Sequence, residues 1–141
     1  MAEAGALAGL RTGVPELDVE HQLQVRLVET LRRSVAAGQP RQVQQELLQE
    51  LEDASNGHFM SEEPLMRLHA WERYEQHTEE HRRLLEDLGS LRGLFAGGGA
   101  DAVEVALEQL QTWLASHVRG MDRAFAEYVA RGGLGAPPPT R

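Results

Sequence analysis

Histidines and carboxylates recur along this sequence at spacings that place side chains on one face of a helix. His77 and His81 are four residues apart, about one helical turn, so both imidazoles would project from the same face. Glu62 follows His58 by the same interval. Imidazole and carboxylate together are groups that divalent iron and zinc favour. These spacings therefore indicate metal binding.

A further pair, His117 and Asp122, is five residues apart. On a regular helix, five steps of about 100° turn the second side chain about 140° away from the first. A local widening to hydrogen bonds of the i to i+5 type, made easier by Gly120, would bring the two groups to one face. We therefore predict a π-type bulge between His117 and Asp122.

Each of these residues also has an ordinary explanation when taken alone. A single histidine such as His21 is usually partly exposed or hydrogen-bonded, and the segment of residues 77 to 81 also fits a solvated helix face. Glu62 and Asp122 would be surface charges by default, because an uncompensated buried carboxylate is unfavourable. Taken together, five imidazoles and two carboxylates converging from four helices require cations to bind them.

The apolar residues predict the four helices that would position these groups. Their helical spacing indicates a first helix that follows residues 18 to 21 and ends near residues 36 to 40, and further helices over about 41–68, 72–95 and 102–130. Short connections and the lack of strand-like alternation indicate an all-α fold, an up-down-up-down antiparallel four-helix bundle with the metal site in its core.

Details of the helices follow from single residues. We expect Asp101 to cap the last helix and Pro64 to kink the second, with local irregularity there also at Asn56 and Gly57. His69 lies 11 residues after His58, about 16 Å along a helix, so it is excluded as a ligand to the same metals. The predicted organisation is an N-terminal arm at 1–15, the bundle at 16–131 and a flexible tail at 132–141.

The bulk composition excludes several classes of function. With 41% hydrophobic residues the chain has enough apolar side chains for a core, and the absence of cysteine excludes disulfides, thiolate zinc sites and iron–sulfur clusters. A net charge of -8 without any lysine opposes nucleic-acid binding. No uninterrupted apolar run is long enough to span a membrane, and residues 1–13 do not resemble a signal peptide. We expect a cytoplasmic protein.

Four segments in order resemble the hemerythrin family, in its bacterial single-domain form. They are DVEH at 18–21, HFMSEEPLM at 58–66, HTEEH at 77–81 and WLASHVRGMD at 113–122, and the resemblance extends from about residue 12 to 129. It implies a non-haem di-iron site in the bundle core that binds dioxygen reversibly.

The resemblance also assigns roles to individual residues. His77, His81 and His117 would hold one iron, and His21 and His58 the other. Glu62 and Asp122 would bridge the two ions (Fe²⁺/Fe³⁺) together with an oxo or hydroxo group. This set leaves one position of two six-coordinate ions open, on the iron with two histidines, where dioxygen would bind. The expected walls of the oxygen pocket are Phe59, Trp113, Leu114 and Val118.

The chain departs from the family pattern at some positions. Trp71 and Glu72 replace a common Tyr-Pro pair, and Ala54 replaces a tyrosine often found four residues before the histidine at the position of His58. Ala54 would leave space or a solvent path near the irons. The lifetime of an oxygen complex is therefore open, although the ligand set is complete.

Three functions remain in consideration. The first is oxygen storage, delivery or sensing by a protein that is not an enzyme. The second is a di-iron redox enzyme at the same site, with peroxidase-like, nitric oxide or iron-oxidising activity. The ferritin-like class uses two E-x-x-H elements, and none occurs here. The third is a metal-free helical module that docks a partner. A sensor would also need a partner protein or a fused domain, and the oligomeric state is open.

Overall fold

A computed structural model describes residues 12–133, which form an antiparallel four-helix bundle. The helices are α1 (Pro15–Ala36), α2 (Arg41–Leu68), α3 (Tyr74–Gly97) and α4 (Ala100–His117), and the chain continues from α4 through a π-helical segment (Val118–Asp122) into α5 (Arg123–Ala130). α1 packs against α2 and α4, and α3 packs against the same two helices, as an up-down-up-down bundle requires. Over 12–133 there is no strand, so the predicted fold class is confirmed.

The predicted arm and tail lie mostly outside the described residues. The described end of the arm is tied to α1, because the Asp18 carboxylate accepts hydrogen bonds from the backbone N–H and hydroxyl of Thr12, both at 2.7 Å, and from the backbone N–H of Gly13. α1 begins with Pro15 in its first turn, where the missing N–H would have no partner in the helix.

The turn between α2 and α3 delays the start of α3 to Tyr74, two residues later than predicted. Ala70 adopts a left-handed φ of 51°, and the N–H of Trp71 donates to the carbonyl of Met66 at 2.9 Å, while the N–H of Ala70 donates to that of Arg67. This is a Schellman ending, in which the chain must reverse before the next helix begins. Glycine usually occupies this left-handed position, so a sequence with alanine there did not predict the motif.

Two expectations about helix irregularities are wrong. α2 is unbroken through Asn56 and Gly57, both exposed. It also continues for four residues past Pro64, and the kink expected there stays a prediction. The N-cap of α4 is Gly99 and not Asp101, which lies in the first turn and forms no capping hydrogen bond. A carboxylate there still interacts favourably with the helix dipole.

Two apolar clusters flank a polar layer in the bundle core. The larger contains Leu31, Leu48, Leu88, Leu107 and other buried residues of all four main helices. The smaller surrounds Met66 and Phe125 at the opposite end. The predicted metal ligands lie between them, so the layer is closed by packed side chains on both sides.

None of the helices described between residues 12 and 133 combines the length and hydropathy needed to cross a lipid bilayer.

Candidate metal centre

The structure brings together all seven residues that the sequence proposes as ligands. They come from every helix of the bundle, and each is at most 3% exposed. The histidines are His21, His58, His77, His81 and His117, and the carboxylates are Glu62 and Asp122. Buried ionisable groups at this density are unfavourable unless they are paired or coordinate a metal.

The seven residues form two groups that share both carboxylates. In each group the candidate ligand atoms lie within 4.8 Å of one another. One group adds His77, His81 and His117 to the carboxylates, and the other adds His21 and His58. The division into three and two histidines is the one that the resemblance implied.

Asp122 faces both groups with different oxygens. Its Oδ1 lies 2.8 Å from Nε2 of His77 and 3.1 Å from Nε2 of His117. Its Oδ2 lies 2.8 Å from Nε2 of His21 and 3.9 Å from Nε2 of His58. A carboxylate with one oxygen toward each group is placed to bridge two cations.

Glu62 approaches three histidines with a single oxygen. Its Oε1 lies 2.9 Å from Nε2 of His77, 3.0 Å from that of His81 and 3.6 Å from that of His58. Its Oε2 is buried without a hydrogen-bond partner. Glu62 therefore touches both groups, and its second oxygen is free for a ligand.

Unpaired polar atoms give a test of whether a metal fits this site. Nε2 of His81, Nε2 of His117 and Oδ2 of Asp122 are buried without a hydrogen bond, as are both oxygens of Glu62, despite the short N···O distances above. These atoms approach one another without pointing a hydrogen at an acceptor. Native cores leave few buried polar atoms unsatisfied, so convergence of this kind suits cations between them. The donor set of nitrogen and oxygen fits iron or zinc.

The predicted bulge between His117 and Asp122 is confirmed. Residues 118–122 form a single π-helical segment, which turns Asp122 back onto the face of His117. Gly120 is exposed, and a Cβ there would meet nothing within 4 Å. The glycine therefore does not prevent a clash, and any help it gives is in backbone freedom alone.

The carboxylates set the electrostatics of the metal-free site. Burial opposes protonation of His58, but the nearby Asp122 carboxylate, a hydrogen bond to Glu20 and the charge of Glu62 outweigh it and raise its pKa to about 10. Burial likewise opposes protonation of His117, and the charge of Asp122 raises its pKa to about 9. Burial favours the neutral form of Asp122, yet the neighbouring histidines, His117 foremost, hold the pKa of its carboxyl well below the usual value. Without metal, the site therefore holds protons that metal binding must displace.

Three glutamates outside the predicted set bind the far side of ligand histidines. Each accepts a hydrogen bond from a histidine Nδ1–H, since a carboxylate can only accept. The pairs are His58 with Glu20 at 2.8 Å, His81 with Glu63 at 2.8 Å, and His117 with Glu80 at 2.7 Å. Such hydrogen bonds fix the tautomer that leaves Nε2 free for a metal.

The three glutamates follow one rule along the chain. Each is adjacent in sequence to a candidate ligand of its own helix and reaches a histidine of the next helix, from α1 to α2, α2 to α3 and α3 to α4. The signal that could have found them is this adjacency, as in EEH at 79–81. By contrast, Nδ1 of His21 and Nδ1 of His77 have no partner.

The four expected pocket residues differ in how they lie relative to the site. The ring of Phe59 stacks on His81, with centroids 3.8 Å apart, and the ring of Trp113 stacks on His117 at 4.9 Å. Both rings therefore cover the group with three histidines, and Trp113 is only half-buried. Leu114 and Val118 are buried in the larger apolar cluster.

His69 lies outside both ligand groups, as expected. It ends α2, its backbone carbonyl accepts a hydrogen bond from the Tyr128 hydroxyl at 2.6 Å, and its ring lies edge-on to Phe125. His69 therefore has a structural place at the far end of the bundle.

Known proteins share sequence similarity with most of this chain. The model of the hemerythrin HHE cation binding domain matches residues 12–129. A bacteriohemerythrin of Stenotrophomonas maltophilia (strain R551-3) is 27% identical over 120 residues, which cover 85% of this chain and 77% of that protein. Bacteriohemerythrins of Pseudomonas paraeruginosa (strain PA7) and Pseudomonas aeruginosa (strain LESB58) are each 26% identical over the same shares. A domain match over nearly the whole chain, together with a buried histidine and carboxylate cluster that fits metal, shows that this chain belongs to the hemerythrin family.

Proposed function

We propose that this protein holds two iron ions in the bundle core and binds dioxygen reversibly, for oxygen storage, delivery or sensing, and that it is not an enzyme. The observation that carries the proposal is the arrangement of seven buried ligand residues in two groups that share Glu62 and Asp122. The similarity to bacteriohemerythrins supports the same conclusion.

The donor count favours a binding site with one open position. If both carboxylates and one oxo or hydroxo group were shared by two six-coordinate ions, the five imidazoles would leave the pair one donor short. The shortage would lie on the side of His21 and His58, which has one histidine fewer. When bound, the irons would supply the electrons that hold dioxygen reversibly.

The protein's own contribution is to fix the ligands and exclude water. Asp122 and Glu62 tie the two histidine groups together, and Leu84, Leu114 and Val118 close the layer on the side of the larger apolar cluster. Each of these three is at most 4% exposed. A dry site keeps water and anions from displacing a bound oxygen ligand and leaving oxidised iron behind.

An optical experiment tests the proposal. The protein is reconstituted anaerobically with Fe(II), its spectrum is recorded before and after exposure to air, and oxygen is then removed. A charge-transfer band that appears with oxygen and disappears on its removal is the expected result. A protein that takes up less than two irons per chain contradicts the proposal.

A redox enzyme at the same site is the second candidate, and one observation favours it. Glu20, Glu63 and Glu80 are about a third exposed and contact ligand histidines, so they connect the site with solvent. Irreversible oxidation on first exposure to air, with turnover of peroxide or nitric oxide, is the outcome that would favour this candidate.

A further inference from the structure

Two polar side chains, Gln24 and Ser55, lie in the core about one helical turn from the site. Gln24 follows His21 by three residues and Ser55 precedes His58 by three. Because α1 and α2 are antiparallel, both are displaced in the same direction, by about 4.5 Å along the helix axes. Gln24 is 1% exposed and Ser55 is fully buried.

The two side chains form a hydrogen bond with each other, and each has a further hydrogen-bonding group that this bond does not use. Nε2 of Gln24 donates to Oγ of Ser55 at 3.1 Å, so the serine hydroxyl retains its own hydrogen. Oε1 of Gln24 is buried and has no partner. An unpaired buried carbonyl is unfavourable, and a leucine would fill the position without that penalty.

The same layer is apolar on the other two helices. Leu84 follows His81 by three residues and Leu114 precedes His117 by three, and both are buried. The polar half of the layer therefore lies on the side of His21 and His58. The ring of Trp113 stacks on His117 of the other group, whereas the ring of Phe59 stacks on His81 and also lies 5.7 Å from that of His58.

We propose that Gln24 and Ser55 determine which small ligand the site prefers, by forming hydrogen bonds with a ligand that carries an O–H group. The inference rests on the proposed function in one respect, that the open position is on the ion held by His21 and His58. Oε1 of Gln24 accepts the ligand's hydrogen and the Ser55 hydroxyl donates to its oxygen.

This arrangement discriminates between classes of ligand. Water and hydrogen peroxide both donate and accept hydrogen bonds, so they use both members of the pair. Azide has no hydrogen to donate, and its negative charge would face the carbonyl lone pairs of Gln24. The pair therefore favours ligands with an O–H group over simple anions.

A comparison of two ligands tests the preference. The iron-loaded, oxidised protein is titrated with hydrogen peroxide and, separately, with azide, by stopped-flow absorbance, for the wild type and Gln24→Leu. We expect peroxide affinity to fall about tenfold, the effect of losing one hydrogen bond, and azide affinity to remain within about twofold or to increase. Equal losses for both ligands, or no loss for peroxide, would overturn the proposal.

Gln44→Leu is the matched control. Gln44 is also a buried amide, but its Nε2 donates to the backbone carbonyl of Gln39 at 3.0 Å, and it lies near the start of α2, away from the site. This variant should leave both ligand affinities unchanged.

Urea unfolding of the metal-free variants gives a readout independent of iron. Gln24→Leu loses the hydrogen bond to Ser55 but also removes an unpaired buried carbonyl, whereas Gln44→Leu only loses a hydrogen bond. The midpoint of Gln24→Leu should therefore be the higher of the two. A midpoint for Gln24→Leu below that of Gln44→Leu would show that the Gln24 amide mainly stabilises the fold, and would overturn the proposal. A wild-type protein that binds neither peroxide nor azide would instead contradict the proposed function.

Discussion

At the scale of single residues, the site depends on histidine rings that are fixed before a metal arrives. The carboxylates of Glu20, Glu63 and Glu80 each accept the Nδ1–H of a ligand histidine, and this fixes both ring orientation and tautomer. His21 and His77 lack such a partner. The preorganised part of the site is therefore His58, His81 and His117.

Removing one of these glutamates should weaken metal binding. For Glu80→Ala we expect a loss of about 10–100-fold in Zn²⁺ affinity, measured by competition with a chromophoric chelator. Glu80→Gln should lose less, because its amide oxygen still accepts from His117. Glu79→Gln is the control, since Glu79 is exposed and binds Arg82 at the surface. Equal affinities for Glu80→Ala and Glu79→Gln would contradict the positioning role.

Sequence spacing predicted the residues that converge in the core but not the residues around them. The i, i+4 pairs define a helix face from sequence alone, and for His117 and Asp122 the five-residue interval even indicated the backbone defect. Glu20 gave only its adjacency to His21, and Gln24 gave no such signal. Each pairs with a residue on another helix, 38 and 31 positions away, and a partner at that distance depends on how the helices pack.

At the scale of elements, the π segment acts as a one-residue insertion in a continuous helix. Deleting Gly120 would convert the interval of five to one of four, the spacing of His58 and Glu62, and leave α5 in phase with α4. We expect the deletion variant to fold and to retain two metals per chain. Inserting an alanine after Gly120 should instead rotate Asp122 away from the site and lower metal content.

Circular dichroism and metal analysis of the two variants check this prediction. Both should be helical, and only the insertion should lose metal. Loss of metal from the deletion variant would mean that the site requires the π geometry itself, and not only the position of Asp122.

The turn after α2 offers a second test at this scale. Ala70 holds a left-handed φ of 51° in a Schellman motif, a conformation that is unfavourable for any residue with a Cβ. Ala70→Gly should stabilise the protein by about 0.5–1 kcal/mol, after the greater freedom of glycine in the unfolded chain is subtracted. Urea denaturation measures the change, and a destabilised variant would contradict the assigned conformation.

The helices could be predicted from the sequence, but two of the helix ends could not. The apolar periodicity predicted four helices and their order correctly, because each buries one stripe in the core. It missed the start of α3 and the cap of α4. Those ends depend on the backbone conformations of Ala70 and Gly99. Alanine is not a residue that predicts a turn.

At the scale of the whole molecule, the bundle stabilises a cluster of charges that only a bound cation neutralises fully. In the metal-free protein, protons take the place of the metal. The pKa of His58 is raised to about 10 and that of His117 to about 9, from an ordinary value near 6.5. The stability of the metal-free fold should therefore depend on pH.

The raised pKa values of His58 and His117 determine whether stability rises or falls with pH. A group whose pKa is higher in the folded state contributes stability that is present below its unfolded pKa and is lost as pH rises through its folded pKa. We expect the urea midpoint of the metal-free protein to fall from about pH 6.5 to about pH 10. In the Zn²⁺-loaded protein the metal replaces these protons, so the decline should be much smaller. A metal-free midpoint that is flat or rises over this range would contradict the assignment.

Anomalous X-ray diffraction at the iron edge, on crystals of the reconstituted protein, would locate the metal ions. We expect two iron peaks per chain, one next to Oδ1 of Asp122 with His77, His81 and His117, and the other next to Oδ2 with His21 and His58. A single peak, or peaks that do not share Asp122 and Glu62, would contradict this expectation.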